Sequence, residues 1–220
     1  MFGAQTRARP SLVLADDHAI VTDGLCRLLE PDYDVVAAVS DGRALLEAVG
    51  QLRPDAVIAD ISMPLLNGID AIRELRKAHP AIPAICLTMH ADRTYLAAAL
   101  AAGAAGFVVK HAAAEELHQA LSAVLRGGSY VSPMVGGCGA RRRGRGLPPA
   151  SRAAGAELTG RQRQVLQLIA EGHTARQIAQ LLGVSPKTVE FHKYRIRALL
   201  GLNSTAQLAR YALQHGLVSE

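Results

Sequence analysis

The stretch Ala56-Val-Ile-Ala-Asp60-Ile-Ser-Met-Pro-Leu-Leu-Asn-Gly68 decides how this chain folds. Its first four residues form an apolar run, typical of a buried parallel strand, and the run ends at Asp60. Pro64 and the Asn67-Gly68 pair then break the chain, as a loop requires before a helix begins near Ile69. This order predicts that Asp60 lies at the carboxyl end of a central strand, where open α/β sheets place their ligand sites.

Three other apolar runs end at a polar group in the same way. They begin at Leu12, Ala84 and Gly106, and a further strand is predicted over Tyr33–Val39. Helical patterns alternate with these runs and predict helices over Ala19–Leu29, Gly42–Leu52, Ile69–Ala78, Arg93–Ala102 and Ala114–Arg126. Five strands alternating with five helices predict a doubly wound, five-stranded parallel sheet of the α/β class.

The carboxyl ends of parallel strands share one edge of a sheet, so the polar groups that follow the strands are expected to meet there. They are Asp16, Asp17, Asp60, Thr88 and Lys110. Crowded carboxylates need either raised pKa values or a cation among them, and oxygen-only ligands suit Mg²⁺. A metal beside a lysine binds phosphoryl groups, and a carboxylate next to them can act as a nucleophile.

These rules predict that Asp60 attacks a phosphoryl group while Thr88 and Lys110 bind its oxygens. Asp16, Asp17 and Asp60 are predicted to hold Mg²⁺ together with the backbone carbonyl of Ser62. His18 follows the acidic pair, and two interpretations stay open for it: a residue at the rim that tunes hydrolysis, or a solvated loop residue.

Residues 11–130 resemble the receiver domain of bacterial two-component response regulators. The resemblance is carried by Asp16-Asp17, by Asp60 with Met63-Pro64, by Thr88, and by Lys110 after Phe107. It implies a flavodoxin-like fold, a sensor histidine kinase as phosphodonor to Asp60, and a switch formed by Thr88 and Phe107. Phe107 departs from the more usual Tyr, so signalling through an outward hydroxyl is excluded at that position.

Composition and charge separate the two halves of the chain. Half of its 220 residues are hydrophobic, and its three cysteines show neither metal-ligand spacing nor a disulfide framework. The sequence shows no signal-peptide pattern and no apolar stretch long enough to span a bilayer, so a cytoplasmic protein without a membrane partner is expected. Residues 1–131 hold 11 Lys/Arg and 15 Asp/Glu, whereas residues 132–220 hold 13 and 4, so the second half is expected to meet a polyanion.

Residues 131–156 are predicted to be a flexible linker, because they are rich in Gly, Arg and Pro and lack an apolar period. Four arginines lie in this stretch, namely Arg141, Arg142, Arg143 and Arg145. Two interpretations stay open for them: contact with DNA phosphates or the minor groove, or a solvated linker without ordered contacts.

Residues 157–220 are predicted to form an all-α unit. Thr159, Thr174 and Ser185 are good N-caps for helices over Arg161–Glu171, Ala175–Leu182 and Pro186 to about Leu200. The Gly-containing turn between the last two is typical of a helix-turn-helix, whose second helix enters the major groove of DNA.

The second helix of this motif has an apolar stripe at Val189, Ile196 and Leu200 and a basic, aromatic opposite face. The predicted DNA-binding residues are Lys187, Thr188, Glu190, Phe191, His192, Lys193, Tyr194 and Arg195. Phe191 suits a thymine methyl and Glu190 a cytosine amino group, and the basic residues suit phosphates. In the alternative interpretation, the two aromatic rings only cover the linker or a neighbouring helix.

Residues 158–218 resemble the DNA-binding domain of LuxR/NarL-type regulators. The resemblance is carried by Leu158-Thr159, Gln164-Val165-Leu166, Ile178-Ala179, Lys187-Thr188-Val189-Glu190-x-His192 and Leu200-Gly201-Leu202. It implies four helices and a homodimer on a pseudo-palindromic promoter in double-stranded DNA. It also implies a dimer face on the last helix, Thr205–His215, with Leu208, Tyr211, Ala212 and His215 as candidates.

The leading hypothesis is a transcription regulator switched by phosphorylation, in which the unphosphorylated receiver covers the recognition helix. An aspartyl-phosphate hydrolase resembling the haloacid dehalogenases is the enzyme alternative, but its acid/base Asp is replaced by Ser62. A ligand-sensing LuxR-type regulator would leave the acidic trio unexplained, because ligand pockets are mostly apolar. DNA binding that does not need phosphorylation stays open.

Overall fold

The structure is a computed structural model that describes residues 9–89, 91–136 and 158–218. Its sheet has six parallel strands in the order β2-β1-β3-β4-β5-β6. The strands are β1 (Ser11–Ala15), β2 (Asp34–Val39), β3 (Ala56–Asp60), β4 (Ala84–Thr88), β5 (Gly106–Val109) and β6 (Tyr130–Val131). Every residue of β3, β4 and β5 is buried, as expected for strands covered on both faces.

Helices cover both faces of this sheet. They are α1 (Ala19–Leu29), α2 (Gly42–Leu52), α3 (Gly68–Ala78), α4 (Arg93–Ala102) and α5 (Ala113–Leu125), with a single 3₁₀ turn over Lys110–Ala112. Side chains of Asp41, Asn67 and Asp92 cap α2, α3 and α4 by accepting backbone N–H bonds, which fixes where each helix begins. The doubly wound fold predicted from the sequence is therefore confirmed.

The sixth strand is the main difference from the predicted sheet. Val131 of β6 is paired with Phe107 of β5, and a short helix α6 (Pro133–Gly136) follows. Val135 of that helix is 4% exposed and packs into the core beside the sheet. The prediction that a flexible linker begins at residue 131 is therefore wrong, because residues 131–136 belong to the α/β unit. The four linker arginines and Cys138 lie outside the described residues.

The second unit consists of α7 (Gly160–Ala170), α8 (Ala175–Leu182), α9 (Pro186–Leu200) and α10 (Thr205–Gln214). Capping boxes begin α7, α8 and α10, and Ser185 caps α9 with Pro186 in its first position. Gly183 ends α8 with φ of 63°, a left-handed conformation that a glycine adopts without strain. The predicted four-helix unit is confirmed, and within the described ranges no helix is long and apolar enough to cross a membrane.

Candidate phosphoacceptor site and DNA-reading helix

The predicted acidic cluster forms at the carboxyl edge of the sheet. Asp60 is the last residue of β3, Asp16 follows β1, and Lys110 follows β5. The Lys110 Nζ lies 2.7 Å from Asp16 Oδ2 and 2.9 Å from Asp60 Oδ2. These three side chains are 6%, 0% and 3% exposed, respectively, so the ammonium bridges two buried carboxylates.

The environment of the cluster shifts the protonation of both partners. Burial raises the pKa of Asp60, although the nearby ammonium of Lys110 lowers it in part. Burial alone lowers the pKa of Lys110, but the hydrogen bond to Asp16 and the charge of Asp60 outweigh it and raise the pKa overall. Lys110 therefore stays protonated, and the negative charge of Asp60 is stabilised less well here than in water, even with Lys110 beside it.

The donor set suits a divalent cation. Asp16, Asp17, His18 and Asp60 each offer one ligand atom, and these atoms all lie within 4.8 Å of one another. Three of the four donors are carboxylates, which is the ligand type that Mg²⁺ prefers. The fourth, His18, places its Nδ1 2.9 Å from Asp17 Oδ1 and 3.2 Å from Asp16 Oδ1. His18 thus lies in the cluster itself, and its position next to the acidic pair was the only sequence signal for it.

The remaining residues of the predicted site lie around Asp60. The amide of Ser62 donates a hydrogen bond to the Asp60 carboxylate, and the metal-ligating role of its carbonyl stays a prediction. Thr88, 2% exposed, ends the neighbouring strand β4 one residue beyond Leu87, which is paired with Asp60. Phe107 is fully buried in the core between the sheet and α2 to α4. Thr88 therefore lies on the strand next to that of Asp60, and Phe107 lies on the strand beyond it.

The recognition helix α9 has the two faces that the sequence predicts. Val189 and Ile196 are 1% and 0% exposed and pack in the core of the second unit. Phe191 and Tyr194 are 57% and 72% exposed, so in the described part of the chain no neighbouring helix covers them. The Arg195 guanidinium carbon lies 5.9 Å from the centre of the Phe191 ring, within the range of a cation–π contact.

The other predicted DNA-binding residues follow the same outer surface. Lys187 and Glu190 are exposed, and Thr188, His192 and Lys193 are partly exposed. The Lys193 Nζ lies 3.8 Å from Glu190 Oε1. Burial, and to a smaller extent the charge of Arg161, lowers the pKa of His192, so His192 is a neutral polar group near pH 7.

Helix α10 offers less free surface than expected for the dimer contact. Leu208 and Ala212 are fully buried in the core of their own domain. Tyr211 and His215 stack with their ring centres 4.0 Å apart, and His215 is exposed. Leu208 and Ala212 are therefore wrong as dimer-face residues, because their side chains are already packed inside the domain. Tyr211 and His215 remain as candidates.

Comparison with known proteins gives both halves of the chain a family. Residues 12–122 match the response regulator receiver domain, and residues 156–212 match the bacterial regulatory proteins of the luxR family. The transcriptional regulatory protein MctR of Rhizobium johnstonii is 36% identical over 217 residues, which cover 97% of this chain and 98% of MctR. The chain belongs to the two-component response regulators with a LuxR-type domain. This family consists of transcription regulators, so the chain is not a metabolic enzyme.

Further relatives share the same two-domain plan. UhpA of Escherichia coli, a transcriptional regulatory protein, is 35% identical over 204 residues, covering 91% of this chain and 96% of UhpA. Among solved structures, the RcsB response regulator of Salmonella typhimurium aligns with a TM-score of 0.63 at 26% identity, covering 94% of this chain and 98% of RcsB. A solved RcsB–DNA complex aligns with a TM-score of 0.56 at 28% identity, covering 92% of this chain and 97% of RcsB.

The receiver of this response regulator contacts α7 and not the reading face of α9. Gln167 and Glu171, in and just after α7, bind the loop that follows Asp60, and Arg163 binds Asp70 in α3. The structure therefore differs from the expectation that the receiver covers the recognition helix. Sequence reasoning missed this contact, since a Gln and a Glu in a helix are indistinguishable from residues on a solvated face.

Proposed function

We propose that Asp60 is phosphorylated by a sensor histidine kinase. The observation that carries this proposal is the bridge that Lys110 forms between the buried carboxylates of Asp16 and Asp60. An Asp60 oxygen attacks phosphorus, the phosphorus–nitrogen bond of the kinase phosphohistidine breaks, and the imidazole leaves with the bonding electron pair. The chain thus catalyses only its own phosphorylation and dephosphorylation.

Lys110 and Thr88 bind the phosphoryl oxygens in this proposal. Asp16, Asp17, Asp60 and the Ser62 carbonyl would hold Mg²⁺, which would neutralise charge that opposes attack by one anion on another. Asp60 starts the reaction as a carboxylate whose hydrogen bonds to Lys110 and Ser62 fix the orientation of its oxygens. Thr88 and Phe107 form the switch, which is supported by their places on the strands that follow β3 in the sheet.

Phosphorylation then promotes dimerisation and promoter binding in the cytoplasm. The exposed face of α9 reads the major groove, with Phe191 and Glu190 against base edges and the basic residues against phosphates. The RcsB–DNA complex among the structural relatives supports double-stranded DNA as the partner. Tyr211 on α10 and His215, which follows that helix, contribute the dimer contact.

The test is the substitution Asp60→Asn, which removes the nucleophile and keeps its size. DNA binding is measured by footprinting, with and without acetyl phosphate and Mg²⁺, for the variant and the wild type. We expect wild-type binding to increase with the phosphodonor and the variant to show no increase. An Asp60→Asn chain that responds like the wild type would show that the phosphoryl group goes elsewhere.

A further inference from the structure

The loop that follows the phosphoacceptor is held by a side chain from the other domain. Gln167 of α7 is fully buried. Its Oε1 accepts hydrogen bonds from the Asn67 amide at 3.0 Å and the Asn67 Nδ2 at 3.1 Å, and its Nε2 donates to the Met63 carbonyl at 2.9 Å. One side chain thus joins the first and the last part of the loop between β3 and α3.

Glu171 holds the middle of the same loop. Its two carboxylate oxygens accept from the Leu65 amide at 3.1 and 3.3 Å, and Gln167 Nε2 donates to Oε1 at 2.7 Å. Leu65 has φ of 65°, a left-handed conformation that is unfavourable for a residue with a side chain. Its side chain packs against the apolar core of the second domain, which offsets that strain.

A third contact closes this surface. Asp70, 3% exposed, accepts from Arg163 Nε of the second domain at 3.0 Å and from Asn67 Nδ2 at 3.1 Å, and it also pairs with Arg73. Leaving polar groups this deeply buried without hydrogen bonds is costly. Because these partners meet only in one arrangement, the contacts define one docked position of α7 on the receiver.

Hydrogen bonds and close packing connect the loop to the backbone around Asp60. The Gly68 amide donates to the Ile61 carbonyl at 2.9 Å, and the Ile61 amide donates to Leu87 of β4 at 3.0 Å. Gly68 approaches Asp60 so closely that a Cβ atom on it would lie 2.0 Å from the Asp60 carbonyl oxygen. A displacement of the loop is therefore transmitted to the backbone of residues 60–62, which carries Asp60 and Ser62.

We propose that Gln167 and Glu171 of the DNA-binding domain are positioning residues for the magnesium site of the receiver. By holding Met63, Leu65 and Asn67, they fix the turn that presents the Asp60 carboxylate and the Ser62 carbonyl to the cation. This inference rests on the proposed function, which takes these groups as metal ligands. Outer-shell partners of metal ligands commonly contribute tenfold or more to affinity, because they fix ligand orientation.

The test is Mg²⁺ affinity, measured by isothermal titration calorimetry on the full chain without a phosphodonor. We expect Gln167→Ala to weaken Mg²⁺ binding by about tenfold. Gln180→Ala removes an exposed glutamine from α8 and is the matched control, with unchanged affinity expected. Phosphorylation by acetyl phosphate should return to the wild-type rate at saturating Mg²⁺, because the nucleophile and Lys110 are intact.

Two further variants separate positioning from a loss of folding. Glu171→Gln keeps an oxygen that can accept from the Leu65 amide, so it should retain most of the affinity that Glu171→Ala loses. Hydrogen exchange supplies an independent readout, since Mg²⁺ should slow exchange of the Leu65 and Asn67 amides in the wild type by linkage. In Gln167→Ala these amides should exchange fast with or without Mg²⁺ while β3 amides stay protected.

The outcomes distinguish this inference from the proposed function. If Asp17→Asn abolishes Mg²⁺ binding and Gln167→Ala binds like the wild type, the positioning role is wrong and the metal site stands. If Asp17→Asn binds Mg²⁺ like the wild type, the metal-site assignment itself fails, and the positioning role fails with it.

Discussion

Replacing Lys110 by Gln should destabilise the receiver more than any exposed lysine can. The substitution removes the ammonium that lies 2.7 and 2.9 Å from two buried carboxylates, so both lose this cation. Removing one partner of a buried ion pair costs roughly 3–5 kcal/mol. The loss of stability cannot greatly exceed the cost of protonating one of the carboxylates, which is about 4 kcal/mol at pH 7. We therefore expect the free energy of unfolding to fall by about 3–4 kcal/mol.

The assay is urea unfolding followed by circular dichroism at pH 7, in EDTA and in Mg²⁺. Lys77→Gln is the matched control, because the Lys77–Glu74 pair has a 65% exposed lysine and should change stability by less than about 0.5 kcal/mol. The double variant Lys110→Gln/Asp60→Asn should recover part of the loss, since it removes one of the two unpaired charges. Mg²⁺ should stabilise Lys110→Gln, because a cation replaces the missing positive charge.

The pH dependence of this variant has a definite sign. A carboxyl group whose folded pKa is raised above its unfolded value binds more protons in the folded state, so stability decreases as pH rises through that window. Burial already raises the pKa of Asp60, and the loss of Lys110 should raise it further. The deficit of Lys110→Gln should therefore shrink from pH 7 to pH 5. If Lys110→Gln lowers the free energy of unfolding by less than about 0.5 kcal/mol at pH 7 in EDTA, the reasoning is refuted, because an exposed ion pair contributes as much.

Four other perturbations test separate parts of the structure. Gly68→Ala should lower stability by about 1–3 kcal/mol, whereas Gly50→Ala, with open space in α2, should raise it by up to about 1 kcal/mol in the same unfolding assay. Burial, aided by the charge of Asp60, raises the pKa of Cys86 to about 12. Iodoacetamide at pH 8 should therefore modify Cys86 only after the protein unfolds, which peptide mapping by mass spectrometry would show. Leu208→Ala should destabilise the second domain by about 2–5 kcal/mol, and Tyr211→Ala should instead weaken the phosphorylated dimer in sedimentation experiments. Replacing the linker arginines by Gln should weaken DNA binding and lower its salt slope by about 0.9 per lost phosphate contact, and an unchanged slope would assign them to a solvated linker.

Much of the fold was predictable because its signals are local. The helix over Ala175–Leu182 begins after a capping threonine and ends before a left-handed glycine, and its predicted and observed bounds coincide. The residues at the carboxyl edge of the sheet were predictable for a related reason. Each follows a short apolar run, and parallel strands bring such positions together whatever their separation in sequence.

The parts that sequence reasoning missed depend on contacts between distant residues. Strand β6 has two residues, too few to show an alternating pattern, and it forms because it pairs with β5. The left-handed conformation of Leu65 is disfavoured locally and is compensated by packing against the other domain. Gln167 lies beside an apolar stripe, and its burial becomes evident only when the receiver loop is placed against it.

The docked arrangement limits how phosphorylation can control DNA binding in this chain. Because Phe191 and Tyr194 stay 57% and 72% exposed while α7 is docked, the receiver does not need to leave for α9 to be reached. Docking instead fixes the direction in which α9 points, and Tyr95 of α4 packs closely on Gly216, just after α10, so the position of that helix end is fixed too. A symmetric dimer must present two recognition helices about one helical turn of DNA apart. In the proposed function, control acts on whether two docked copies can adopt that spacing, and the loop after Asp60 is the segment that connects the proposed phosphoacceptor to α7.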